Sequence, residues 1–202
     1  MNDMTSPRKN PVQTRQRLVG AAFKEVYVRG YQGSDIGTIL SKAGVTKGAL
    51  YHHFGGKEDL GHAVIDDVIA GIMTDKWLAP LDDIDDPIEV LIDIVDGTSF
   101  LDQHVAGGCP LNNLAQEMSN IDDGFRMRLS RIFQGWIGGI ADALHLGQAN
   151  GKVRRDIHPR DAATFLVATY EGYISLAKNA QDATMLQAGV RQMKQYLLSL
   201  RP

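Results

Sequence analysis

The sequence predicts an all-α fold of about nine helices. Three observations predict it. Apolar residues recur three and four positions apart over most of the chain, the spacing that lines one face of a helix. Gly, Asn and Pro fall between those stretches, where helices stop and start. β-branched residues are scattered and nowhere alternate with polar ones over a strand's length.

The elements follow in order. Residues 12–28 carry Leu18, Ala21, Ala22 and Val26 near helical spacing, and Arg29-Gly30 is a stop. Ser34 suits the N-cap of a short helix bearing Ile36, Ile39 and Leu40, which ends at Ala43-Gly44. Thr46 suits the cap of another short helix reaching His52 or His53, broken by Gly55-Gly56. A long helix begins at Lys57, with Leu60, Val64, Val68 and Ile72 on one face, and frays before Pro80. Asp82, Asp83, Asp85 and Asp86 read as a solvated loop, after which Pro87 opens a helix to about His104. Gly107-Gly108 stops it, and Pro110 starts a short helix to about Met118. A longer helix, from about Asp123 to Asn150, has Phe125, Leu129, Ile132, Phe133, Trp136, Ile140 and Leu144 as its apolar stripe. Residues 159–180 and 183–200 form the last two.

Composition narrows the class. A hydrophobic fraction of 44% and a charged fraction of 22% are ordinary for a soluble globular chain. No run approaches the roughly 18 apolar residues of a membrane span. The opening MNDMTSPRKN lacks the apolar stretch of a secretory signal. The single cysteine, Cys109, has no partner for an internal disulfide. The expectation is a cytoplasmic protein with no membrane contact. Charge is unevenly spread: residues 1–60 carry a net +4 and residues 61–202 a net −7. A basic front on an acidic body suits a polyanionic partner for the front alone.

The most informative stretch is SDIGTILSKAGVTKGALYHHFGGKEDL, from Ser34 to Leu60. Two short helices meet at Ala43-Gly44-Val45, where Gly permits a tight turn and Ala and Val pack the helices together. That is helix-turn-helix grammar, with a second helix short enough to lie in a major groove. Small residues lead it, Thr46, Lys47, Gly48 and Ala49, so its backbone approaches base edges closely. Thr and Ala methyls suit a thymine methyl.

Through Gly30-Tyr31, Ser34, Ile39, Ala43-Gly44-Val45, Lys47-Gly48, Leu50-Tyr51, His53-Phe54, Lys57-Glu58 and Leu60, the sequence resembles the TetR family of bacterial repressors. The resemblance covers roughly residues 12–60 at motif level, and Leu40 departs from it, where the family usually has a small residue. It implies that Thr46, Lys47, Gly48 and Ala49 face bases or nearby phosphates, that Tyr51 donates its hydroxyl to a phosphate, and that His52 touches the opposite backbone. It implies further that Lys57 holds a phosphate and that Ser34 caps the second helix and touches phosphate. Arg8, Lys9, Arg15 and Arg17 are candidates for further backbone or minor-groove contacts, though no motif fixes them. Leu50 and Phe54 read as core. His52-His53 reads as no metal site, because adjacent helical side chains diverge and no thiol or carboxylate completes the set. No catalytic constellation is present in the sequence, so neither an enzyme nor a cofactor is expected.

Beyond residue 60, large soft side chains abound: Met73, Trp77, Phe100, Met118, Phe125, Met127, Phe133, Trp136, Tyr170 and Tyr173. Their plain meaning is core. The resemblance implies that the middle helices enclose an effector cavity, which Met and aromatic residues line well. Cys109, between Gly108 and Pro110, falls at a helix N-cap where backbone N–H groups favour a thiolate, with His104 five residues earlier. This element resembles that of a subgroup of TetR-like regulators, some of which sense electrophiles through the cysteine. Packing at a tight helix junction explains it as well, and both readings stand at this stage.

The resemblance also implies that the last two helices pair with those of a second subunit as a four-helix bundle. Independently, reading two half-sites of a palindrome requires two recognition helices. The expected organisation is a DNA-binding domain over residues 1–60, residues 1–10 forming a flexible arm, and a ligand-binding and dimerisation domain over 61–202. The expected function is a repressor released from a palindromic operator by a small-molecule effector, or by covalent modification of Cys109.

Overall fold

The computed structural model describes residues 10–98 and 102–202, the side chains of residues 102–104 excepted. The arm expected before Asn10, with Arg8 and Lys9, lies outside the described residues, as does Phe100; of His104 only the backbone is described. Among the described residues there are helices and no strands. The chain divides into two compact units, one ending at Val68 and one beginning at Ile69.

In the first unit, α1 (Pro11–Gly33) starts where the Asn10 side chain accepts from the Val12 amide, and it breaks at Gly30 (φ 76°, ψ 167°). α2 (Ile36–Ala43) is capped by Asp35, not by Ser34. The Asp35 carboxylate accepts from the Thr38 amide at 2.6 Å, whereas the Ser34 hydroxyl points back and donates to the Tyr31 carbonyl, also at 2.6 Å. α3 (Lys47–His53) is capped by Thr46 as expected, its Oγ accepting from the Ala49 amide at 3.3 Å. α4 (Lys57–Ala63) follows. Leu18, Ile39, Leu50, Phe54 and Leu60 make the core where these helices meet. Each such burial stabilises by about 1.5–3 kcal/mol. Glu25 is buried among them, 1% exposed, and binds Arg29 at 3.1 Å and Lys42 at 2.5 Å, tying α1 to α2.

The helix expected to run unbroken from Lys57 is not regular. After α4 come a π-helical stretch (Val64–Ile69), α5 (Ala70–Met73), a second π-helical stretch (Thr74–Leu78) and a 3-10 turn (Ala79–Leu81) that includes Pro80. Bonds from i to i+5 widen each turn, so the buried face drifts from the expected one. It runs through Leu60, Val64, Ile65, Ile69, Met73 and Trp77, while Ile72 is exposed. Residues 61–68 belong with the first unit, beyond the boundary expected at 60, because Gly61, Ala63, Val64 and Ile65 are buried and Arg15 pairs with Asp67.

In the second unit, α6 (Pro87–Thr98) and α7 (Asp102–Gly107) lie either side of residues 99–101, followed by α8 (Pro110–Met118). Asp86 is no solvated loop residue. It caps α6 through the Ile88 amide at 3.0 Å and binds Arg201 at 2.8 Å. α9 (Asp123–Ala149), α10 (Pro159–Ala180) and α11 (Ala183–Ser199) form the bulk of the unit, α10 packing on both α9 and α11. The α9 stripe is buried at Phe125, Leu129, Trp136, Ile140 and Leu144. Met127, grouped with the core on its chemistry, is 59% exposed.

Candidate nucleic-acid interface and a buried polar cluster

The turn between α2 and α3 is built around Gly44, whose left-handed backbone (φ 61°, ψ 42°) closes α2 through the Leu40 and Ser41 carbonyls. The Arg17 guanidinium reaches over from α1 to donate to the Gly44 carbonyl at 3.2 Å. Leu50 and Phe54 anchor α3 inward, and Thr46, Lys47, Gly48, Tyr51 and His52 are left exposed, with Ala49 half-buried. Lys47 and Tyr51, one turn apart, lie together, the ammonium 5.9 Å from the ring centroid. A Cβ placed on Gly48 would meet only the Thr46 Oγ, at 3.9 Å. No contact among the described residues of the unit demands a glycine there.

Four expected contact residues have work inside the unit. The Lys57 ammonium donates to the Ser34 carbonyl at 2.7 Å and the Gln32 carbonyl at 3.3 Å, and sits 4.8 Å from the Tyr31 ring centroid. It therefore locks the start of α4 onto the end of α1. Ser34 is buried and its hydroxyl proton is engaged by Tyr31, so its expected phosphate contact has no donor. Arg15 pairs with Asp67 and lies 5.5 Å from the Phe54 ring centroid, and Arg17 holds the turn.

The second unit gathers three of the large aromatic residues into one buried cluster. Trp77 lies 4.8 Å from both Trp136 and Tyr170, ring centroid to ring centroid, and Trp136 lies 5.6 Å from Tyr170. Phe133 stacks on Trp136 at 6.4 Å. Met73 and Trp136 help line a cleft of about 170 Å³ with Ala70, Thr74, Leu78 and Ile132. Met118 and Phe125 are buried as core residues.

Polar groups sit within this apolar setting. The Lys76 ammonium donates to the Tyr170 hydroxyl at 2.5 Å, and the fully buried Thr98 hydroxyl lies 3.4 Å from the same oxygen. Burial lowers the Lys76 pKa to about 8, against the opposing pull of Cys109 and Glu171. Burial raises that of Glu171 to about 7, with Cys109 and Lys76 acting the other way. Burial also holds the Tyr170 phenol well above its usual range.

Cys109 occupies the N-cap of α8, as its neighbours predicted, but its side chain makes no cap hydrogen bond. It is 5% exposed, and burial followed by the Glu171 charge pushes its thiol well up. The expected thiolate is therefore disfavoured: desolvation outweighs the helix-terminal amides. Gly108 beside it has φ 78°, and a Cβ there would lie 2.8 Å from Lys178. Asn113 clasps this corner, donating to the Gly107 carbonyl at 2.6 Å and accepting from Lys178 at 2.9 Å. The tight-junction reading of Cys109 accounts for these contacts, and the sensing reading loses its chemical basis.

A helical first unit with a capped, exposed α3, followed by a second helical unit, is the layout that known proteins share. Residues 18–64 match the family profile described as bacterial regulatory proteins, tetR family, and residues 87–193 match tetracyclin repressor-like, C-terminal domain. The chain belongs to the TetR family. Among its relatives, the HTH-type transcriptional repressor DhaR of Mycobacterium sp. (strain GP1) is 31% identical over 167 residues, covering 79% of this chain and 80% of that protein. The A-factor receptor protein of Streptomyces griseus is 29% identical over 194 residues, covering 93% of this chain and 63% of that protein. A TetR transcriptional regulator from Chloroflexus aurantiacus J-10-FL has a crystal structure that superposes with a TM-score of 0.84 at 27% identity, covering 93% of this chain and 96% of that one. As a TetR-family member the chain is a DNA-binding transcriptional regulator, and its relatives are regulators, not enzymes.

Within this TetR-family chain, sequence reasoning missed Lys76, Thr98 and Glu171. Glu171 had a signal. It stands four and eight residues after Val167 and Ala163, so it occupies the buried face of α10, where a carboxylate has no ordinary place. Among the described residues no group of His, Cys, Asp or Glu is arranged to hold a metal ion, and no helix is long and apolar enough to cross a membrane.

Proposed function

We propose that this chain is a homodimeric repressor that holds a palindromic operator and releases it when a small molecule binds the second unit. The observation that carries the reading is the exposed face of α3: Thr46, Lys47, Gly48, Tyr51 and His52 stand clear of a helix whose cap and anchors are satisfied within the unit. Thr46, Lys47, Gly48 and Ala49 meet base edges and adjacent phosphates, the Tyr51 hydroxyl donates to a phosphate, and His52 contacts the opposite strand's backbone. Lys57 contributes by positioning, through its grip on the Ser34 carbonyl. The protein acts in the cytoplasm, where its DNA is.

Two features support the remaining parts. Phe165, Leu176, Met185 and Leu198 are large apolar residues of α10 and α11 that are 41–53% exposed, a face suited to a second copy of the same helices. The relative named as a receptor for A-factor supports a small-molecule effector, and the buried cluster around Tyr170 supplies polar groups inside apolar walls for one. The effector acts by binding better to the dimer whose α3 helices no longer match the operator spacing.

The test begins with duplexes selected by the protein from a randomised pool. The selected sites are expected to be palindromic and bound as dimer, with an affinity that falls steeply with salt. Lys47→Glu together with Tyr51→Phe abolishes that binding, and Phe165→Glu yields monomers with weakened binding. Selection of no common site, or unaltered affinity in the Lys47→Glu, Tyr51→Phe variant, overturns the reading.

A further inference from the structure

The Trp136 side chain is 1% exposed, and its indole N–H has no acceptor among the described residues. A buried indole N–H ordinarily finds one. The rings packed on Trp136 do not supply it. Trp77 and Phe133 have no acceptor oxygen, and the Tyr170 hydroxyl is engaged by Lys76 and Thr98. Trp136 also lines the cleft of about 170 Å³ between residues 70–78 and α9, through which an acceptor enters from outside. Most of that lining is apolar, Ala70, Met73 and Gly135 among it, and a Cβ on Gly135 would meet nothing within 4 Å. An apolar cavity of roughly 150 Å³ takes a benzene ring. The wall from Thr74 to Leu78 is π-helical, an irregularity that recurs at functional sites. Charge narrows the ligand further. Arg131 is exposed on the same lining, no carboxylate accompanies it there, and no ion pair or hydrogen bond among the described residues occupies its guanidinium. A cation is therefore repelled and an anionic acceptor attracted. The guanidinium and the indole N–H offer donors to the two oxygens of one carboxylate.

We propose that this cleft binds a small apolar monocarboxylate with a body about the size of one six-membered ring. Its carboxylate accepts from the Trp136 indole N–H and pairs with Arg131, and its apolar body packs against Ala70, Met73 and Gly135. The site deepens the effector reading above and rests on it for its regulatory meaning.

Trp136 borders the cleft and the other tryptophan of the chain, Trp77, lies 4.8 Å from it, so the intrinsic fluorescence of the full protein reports on the site. The probes are cyclohexanecarboxylate, cyclohexanecarboxamide and cyclohexylmethylamine, titrated separately. The carboxylate is expected to bind at least about tenfold more tightly than the amide, the discrimination of roughly one hydrogen bond to a charged group, and the amine more weakly still. Arg131→Gln is expected to bring the carboxylate-to-amide ratio to about one. Gly135→Leu, which fills the cleft, is expected to abolish the response to both. Trp136→Phe, which keeps a ring and loses the N–H, is expected to weaken both about tenfold, read by calorimetry. Far-ultraviolet circular dichroism establishes that each variant is folded, and the Arg131 and Gly135 variants decide the matter if the Trp136 variant is not. No saturable response to the carboxylate, amine binding as tight as the carboxylate, or a carboxylate affinity unchanged in Arg131→Gln or in Gly135→Leu overturns the proposal. Parallel measurements of affinity for the selected duplex separate the two readings. Carboxylate binding that is lost in Gly135→Leu, without any effect of the carboxylate on duplex affinity, upholds the site and refutes its effector role. Duplex release by the carboxylate that persists in Gly135→Leu upholds the regulator and refutes this site.

Discussion

The Lys76 ammonium donates to the Tyr170 hydroxyl at 2.5 Å, joining two residues 94 positions apart inside an aromatic cluster. Beside them stands Glu171, and the pair of opposite charges gives the protein a specific pH profile. Glu171 titrates at about 7 when folded against 4.5 in its ordinary state, so the folded chain holds the extra proton between those values and stability falls as pH rises through that window. Lys76 titrates at about 8 when folded against 10.5 ordinarily, so there the unfolded chain holds the extra proton and stability rises from 8 to 10.5. Each slope is at most about 1.4 kcal/mol per pH unit. Urea unfolding across this range should show both limbs, with Glu171→Gln removing the acid limb and Lys76→Met the alkaline one.

Gly48 separates folding from recognition. Alanine at this exposed helical position meets no clash within the unit, so Gly48→Ala should stabilise the fold by about 0.5 kcal/mol. Its affinity for the selected duplex should nevertheless fall, by about tenfold, because the added methyl stands where a base edge must come close. Denaturant midpoints and gel-shift titrations measured on one preparation check the two signs together.

Removing Glu25 unties α1 from α2. Its partners Arg29 and Lys42 have side chains 64% and 50% exposed, so their freed charges return to water and the cost is less than for a wholly buried pair. Glu25→Ala is expected to destabilise by about 2 kcal/mol, mostly from the vacancy left in the core and the lost bond to Lys42. A chemical denaturation curve gives the value directly, and Glu25→Gln should lose less.

Gly189 on α11 is a close-approach site. A Cβ there would fall 2.2 Å from Cγ of the Tyr173 ring on α10, so the ring must leave its rotamer or the helices must part to admit a methyl. Gly189→Ala should therefore destabilise by about 2–3 kcal/mol despite its better helix propensity. It should also weaken self-association, since α10 and α11 carry the exposed Phe165 and Leu198. Thermal unfolding and sedimentation read the two effects separately.

Cys109 should behave as a packing residue. With 5% exposure and a thiol pushed well above its ordinary range, its reaction with a disulfide reagent at pH 8 should be at least about a hundredfold slower in the folded chain than in urea. Cys109→Ser is expected to leave duplex affinity within a factor of about two. Rapid labelling of the folded protein would reverse this assignment.

The sequence by itself determined what local spacing can encode. The all-α class, the stop at Gly44, the cap at Thr46 and the outward face of α3 all follow from residues within four or five positions of one another. Family-matching positions cluster in that same stretch, which is why the regulatory identity was legible there. Tertiary structure decided what depends on residues far apart. Asp35 and not Ser34 caps α2 because Ser34 turns to Tyr31, and Lys57 serves the unit because its ammonium meets the Ser34 carbonyl. The π-helical turns between Val64 and Leu78 moved the buried face from Val68 and Ile72 to Ile69 and Met73, a shift that no fixed period anticipates. Cys109 sits where its neighbours said it would, yet its chemistry is set first by burial and then by Glu171, supplied by helices distant in sequence. Periodicity tells which side of a helix is apolar. Only packing tells which charged group is carried inside with it.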